Sequence, residues 1–159
     1  MKRVISCLVA VTALGVTAVW SQQPQTTHVA MRPAELKWGA APPVFAKGAQ
    51  MAVLSGDPMG EGLYAVRLRM PAGYRVAPHW HPTDEHVTVI EGSLSVGMGE
   101  KFDPSAGKEL TAGGYALMPA EMRHFVWTKT GATVQVEGQG PFKLTYVNPA
   151  DDPSRIASR

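Results

Sequence analysis

From Gln50 onward the chain is cut into short apolar segments by Gly, Pro and Asp, and this punctuation constrains the fold more than any other feature. Leu63 to Met70 shows the pattern: Tyr64, Val66, Leu68 and Met70 fall on one face, Ala65, Arg67 and Arg69 on the other. A period of two marks a half-buried strand. The same reading predicts strands at Gln50 to Ser55, His86 to Ile90, Ser93 to Met98, Tyr115 to Met118, His124 to Thr128, Thr133 to Glu137 and Phe142 to Val147. Turn signals lie between them: Gly56-Asp57-Pro58, Pro71-Ala72-Gly73, Glu91-Gly92, the polar loop Gly99 to Gly114, and Pro119-Ala120-Glu121. No segment after residue 30 holds a helical period over three turns. The expectation is an all-β sandwich or barrel. A length of 159 residues allows one such domain.

The N-terminus is different in kind. Lys2 and Arg3 precede an uncharged run from Val4 to Trp20, and Ser21 to Thr27 is polar. A basic start, an apolar middle and a polar exit form the layout of a secretory signal, so residues 1–21 are expected to be removed. The competing reading is an uncleaved anchor, because the run is at the short end of a membrane span. Cleavage leaves 138 residues with 13 basic and 13 acidic side chains, no Cys and no stable membrane span. A thiol-free chain suits an oxidising compartment, and the expected location is periplasmic or secreted. The balanced charge gives no case for a nucleic-acid partner. Residues 22–48 are rich in Pro and Ala and read as an extended arm before a barrel at 49–147. Residues 148–159 read as a surface tail.

Four of the five histidines carry the chemical signal: His79, His81, His86 and His124. On a strand His79 and His81 share a face, with Trp80 turned away. If Pro82-Thr83-Asp84 turns the chain, Glu85 opens the next strand beside them. Its face then includes Val87 and Val89, while His86, Thr88 and Ile90 face out. Three imidazoles and a carboxylate can hold a divalent transition metal and leave positions open for water or substrate. A His-x-His pair alone is a weak signal. The frame Gly73-x5-His79-x-His81-x3-Glu85-x6-Gly92 is more specific, with a chance match on the order of 1 in 10,000.

That frame resembles the first motif of the cupin superfamily. The second motif is present with departures: Gly113-x5-Pro119-x-Glu121-x2-His124-x3-Thr128, where Glu121 replaces a Gly and Thr128 replaces a frequent Asn. A Gly at the position of Glu121 often supplies a positive φ. The resemblance covers residues 48–147. It implies an antiparallel double-sheet jelly-roll barrel with a metal held by His79, His81, Glu85 and His124. Iron or manganese is implied first, then nickel, copper or zinc. Trp38-Gly39, Leu54 to Pro58, His79 to Glu85 and Tyr146 to Pro153 also resemble a group of exported bacterial cupins of undefined activity.

Such a site favours an anionic oxygen donor: a carboxylate, an enolate or a deprotonated diol. The function expected is binding or transformation of a small oxygen-rich molecule, with a dioxygenase or isomerase as the enzymatic form. Glu85 then stays a ligand or swings off as a base. The alternatives are a non-catalytic binding or sensing module and a purely structural metal. Arg67, Arg69 and Arg75 read as solvated, His86 as pointing outward, and Met98 and Met118 as core fillers. Thr128 shares the face of His124 and is a candidate cavity residue. Trp80, Phe125 and Trp127 face away from the site, which calls for a second packed surface: the arm or the partner of a homodimer, the resemblance favouring the dimer.

Overall fold

The computed structural model describes residues 28–156. The expected signal segment, the first residues of the arm and the last three residues of the tail lie outside the described residues. Ten strands are present: β1 (Gly39–Ala40), β2 (Gln50–Ser55), β3 (Gly62–Met70), β4 (Arg75–Trp80), β5 (Glu85–Met98), β6 (Lys108–Thr111), β7 (Tyr115–Met118), β8 (His124–Trp127), β9 (Ala132–Gly140) and β10 (Thr145–Tyr146). Every pairing is antiparallel. Among the described residues, helical structure is limited to two three-residue 3₁₀ turns and one four-residue helix. No helix among the described residues is long and apolar enough to cross a membrane.

The strand order is β1-β2-β3-β9-β5-β8-β4-β10, with β6 and β7 also paired to β5. The fold is an antiparallel double-sheet barrel whose two sheets share β5. The first half of β5 pairs with β9 and β7, the second half with β8 and β6. Two separate strands were expected on either side of Glu91-Gly92. The chain instead bends within one strand: the register with β9 shifts between Val89 and Glu91, and Gly92 has φ 76°. A Cβ at Gly92 would collide with the Gly131 carbonyl, so the bend needs a residue without one.

The alternation read from β3 is the observed one. Tyr64, Val66, Leu68 and Met70 are buried, and they join Val76, Val87, Val89, Leu94, Val126, Val134 and Val136 in a single core. The arm closes one side of that core. Phe45 enters it, and the carbonyls of Val44 and Ala46 accept hydrogen bonds from the Tyr146 and Tyr74 hydroxyls, each at 2.8 Å.

Four local expectations need correction. The polar loop contains β6, whose Lys108 and Glu109 are exposed on an outer strand and gave no apolar signal. Only Thr145–Tyr146 of the stretch 142–147 is strand, because Phe142 and Leu144 pack on the core instead. Met98 is 47% exposed at the end of β5, whereas Met118 is buried as expected. Phe125 and Trp127 do form an outer aromatic surface, but the loop after β5 covers it. Phe102 lies 5.2 Å from Phe125 and 5.5 Å from Trp127, and Gly107 is pressed against the Trp127 indole. Neither the arm nor a second subunit is needed to bury them.

Candidate metal centre

His79 is the next-to-last residue of β4 and the register partner of His124, which opens β8. His81 follows one residue after β4, and Glu85 is the first residue of β5. The four side chains expected to act together converge inside the barrel, with one ligand atom from each lying within 4.8 Å of the others. All four are buried. His86 points out, and its Nδ1 lies 2.7 Å from the Tyr115 hydroxyl.

Each imidazole is locked through Nδ1 to a backbone carbonyl: His79 to Ala77 at 2.8 Å, His81 to Lys143 at 2.8 Å and His124 to Met122 at 3.0 Å. A carbonyl only accepts, so Nδ1 must carry the proton and Nε2 the lone pair. Nε2 of His81 and of His124 are buried without a hydrogen-bond partner. Both sit 3.4 Å from Glu85 Oε2. Donors about 2.1 Å from one common ion lie about 3.0–4.2 Å apart, so these separations suit a shared metal. The lone pairs, the carboxylate and the carbonyl-fixed tautomers together fit a divalent transition ion.

The electrostatics prepare the donors. Burial, with His124 and His81 alongside, holds His79 down at about 3, so it is neutral at ordinary pH. Burial pushes the Glu85 carboxyl up, but the imidazoles of His81, His124 and His79 outweigh it and hold the group at about 2. Glu85 is therefore a carboxylate in neutral solution.

The two motif loops are tied together. The Glu121 N–H donates to the His81 carbonyl at 2.7 Å, and the Ala120 N–H donates to Asp84 Oδ1 at 2.8 Å. Glu121 adopts φ 61°, the backbone conformation that a Gly would supply there. Sequence reasoning missed Asp84 and the three carbonyls. A backbone acceptor leaves no mark in side-chain identity, although Asp84 sat inside the turn that was read. Thr128 does not line the site. Its hydroxyl accepts the Gly131 N–H at 2.9 Å, in the turn after β8. Arg69 and Arg75 are not simply solvated: they stack on Trp38 and Phe102, at 4.1 and 5.2 Å from the ring centres.

An internal cavity of about 40 Å³ adjoins the cluster. His79 and Glu85 are its only polar side chains, and the rest of its wall is Phe, Leu, Met and Val.

Residues 22–145 match the family described as a domain of unknown function, DUF4437. The chain belongs to that family. Its fold is that of a cupin. The polyketide cyclase RemF from Streptomyces resistomycificus superposes with a TM-score of 0.66 at 16% identity, over 84% of this chain and 94% of that one. A candidate acetylacetone dioxygenase from Methylibium petroleiphilum PM1 gives 0.63 at 20% identity, over 84% and 90%. An RmlC-like cupin from Shewanella frigidimarina gives 0.57 at 19% identity, over 72% and 91%. No curated protein matches the sequence. At these identities the likeness is one of fold.

Proposed function

We infer that this DUF4437 cupin is an exported protein that holds one divalent transition metal at His79, His81, Glu85 and His124. It uses the metal to bind or transform a small oxygen-rich molecule: an enolate, a carboxylate or a diol. The observation that carries the reading is the pair of buried, unpartnered Nε2 atoms of His81 and His124 facing Glu85 at 3.4 Å. Leaving such groups unsatisfied is costly, and a bound cation removes the cost. When bound, the ion supplies Lewis acidity and, if it is iron or manganese, access to dioxygen.

The chain's own residues supply the rest. The carbonyls of Ala77, Lys143 and Met122 hold the imidazoles in one orientation. The hydrocarbon wall excludes water and strengthens every charge interaction inside. Glu85, kept ionised, binds as a ligand and can accept a proton from a bound enol or diol. The dioxygenase form of this reading draws support from the dioxygenase named among the structural neighbours. The tightness of the cavity favours a second reading, in which four protein ligands make the metal a structural staple.

Elemental analysis of protein purified from its native periplasm tests the first step: one divalent transition metal per chain is expected, iron or manganese first, and the absence of any transition metal refutes the reading. Oxygen uptake with enolate and diol substrates then separates enzyme from binding module. A staple would show no change in the metal's spectrum with any ligand. Export is tested by the N-terminal mass of the periplasmic protein, with residues 1–21 expected to be missing. A homodimer is supported by the exposed Val53, Leu63, Tyr115 and Leu117 on the outer face of one sheet. Sedimentation at micromolar concentration tests it.

A further inference from the structure

We propose that Phe45 sets the size of the molecule that the metal takes. Its ring is the wall between the internal cavity and an outer apolar groove, and an organic ligand must displace it. The class that fits is an oxygen-donor head with a short hydrocarbon tail, the head on the metal and the tail in the groove. The proposal rests on the ligand-binding reading above and deepens it.

The internal cavity beside His79 and Glu85 measures about 40 Å³. One water needs roughly 10–15 Å³ of such space, so about three heavy atoms fit there. A carboxylate head fits; a carboxylate with a hydrocarbon tail does not. Phe45 forms part of the cavity's wall and is only 8% exposed. The same residue lines an outer groove of about 490 Å³ with Ala40, Ala41, Pro43 and Ala49.

Phe45 stands on the metal's side of the core. Its ring stacks on Phe142 at 6.0 Å, and Phe142 lies 5.5 Å from His81. The residue before it, Val44, is bonded to Tyr146, the register partner of His79. Met70 also borders both the cavity and an outer groove, but at the far end of the barrel. Met70 pairs with Ala132, the first residue of β9, whereas Glu85 pairs with Gly138, near the end of that strand.

The backbone around Phe45 is fastened on both sides. The carbonyls of Val44 and Ala46 accept from the Tyr146 and Tyr74 hydroxyls, each at 2.8 Å, and the Phe45 N–H donates to the Pro42 carbonyl at 2.9 Å. None of these bonds uses the Phe45 side chain. The ring can turn toward the groove by a rotamer change that leaves all three intact, whereas lifting the whole turn would break them. A tail that follows the displaced ring meets the alanines and proline of the groove, where burying each CH₂ is favourable. Lys47 is the one charged side chain lining that groove. The ring thus opposes every ligand too long for the cavity, and its loss joins cavity to groove.

The test uses protein loaded with cobalt(II), whose visible absorption reports ligand binding, titrated with formate and with butyrate. Phe45→Ala is expected to keep one cobalt per chain, to bind butyrate at least tenfold more tightly than the parent, and to bind formate within about twofold of it. Phe45→Leu removes less of the ring's bulk, tests the same point if the alanine variant does not fold, and should gain about threefold for butyrate. Phe125→Leu makes the same change on the outer face of the barrel, away from the cavity, and should leave the butyrate-to-formate ratio at the parent's value. An unchanged ratio in the folded Phe45 variants, or an equal gain in Phe125→Leu, overturns the role of Phe45 while leaving the metal centre standing. No cobalt uptake, or uptake with no response to either ligand in any of these proteins, overturns the ligand-binding reading and this assignment with it.

Discussion

The pH response of the metal-free protein is set by His79. Burial and the adjacent imidazoles hold it at about 3, against an ordinary value of 6.5. The folded state therefore refuses a proton that the unfolded chain accepts between those two values. Where the unfolded state binds more protons, stability falls as pH falls. The contribution of His79 is fully present above pH 6.5, and it is lost progressively toward pH 3. Between pH 7.5 and pH 5.0 the loss works out at about 2 kcal/mol from this residue alone. Glu85, held at about 2 against an ordinary 4.5, has the same sign but acts mainly below pH 4.5 and adds little in that window.

Urea unfolding of the metal-free protein at the two pH values measures this directly. The expected outcome is a drop of about 2 kcal/mol, or roughly 4–8 °C in melting temperature. His79→Gln keeps a donor for the Ala77 carbonyl and removes the titration, so its drop should be smaller by that amount. A parent protein with no pH dependence, or a His79→Gln variant with the full dependence, refutes the argument that burial keeps His79 neutral.

Other perturbations follow from single contacts. His81→Ala, Glu85→Gln and His124→Ala should each cut bound metal from one per chain to less than a tenth, read by mass spectrometry, while His86→Ala should leave it unchanged. Gly107→Ala drives a Cβ into the Trp127 indole and should cost about 1–3 kcal/mol in urea unfolding without loss of metal. Glu121→Gly relieves a left-handed residue worth about 1 kcal/mol but loosens the unfolded chain, so a net gain of roughly 0.5 kcal/mol is expected in the same assay.

The alternation at residues 63–70 was legible because each side chain there reports one face directly. The same holds for Val87 and Val89 inside against Ile90 outside. The continuity of β5 was not legible, since a Gly that ends a strand and a Gly that bends one look alike in sequence. β6 was hidden because an outer strand with Lys108 and Glu109 exposed and only Leu110 packed on the core needs little apolar content of its own. The ligand residues were legible through spacing. What orients them was not, because Ala77, Met122 and Lys143 act through carbonyls that every residue has. Thr128 misled for a different reason: strand parity holds only while the strand lasts, and Thr128 lies just past the end of β8, while Met98, read as a core filler from its residue type, stands at the exposed end of β5.

The four ligands are held in two different ways. His79 and His124 are register partners, and each is fixed by the carbonyl two residues before it. That half of the site forms whenever β4 and β8 pair. His81 and Glu85 lie past the end of β4 and at the start of β5, and their placement is tertiary. The Lys143 carbonyl fixes the imidazole, the Glu121 N–H fixes the His81 backbone, and Asp84 ties the loop to Ala120. The second half of the site therefore depends on the loop after β7 docking with one backbone direction at residue 121. That requirement explains how Glu121 can stand where the motif has Gly. The site needs the N–H aimed at His81, and a Glu held at φ 61° delivers it at a small cost in strain.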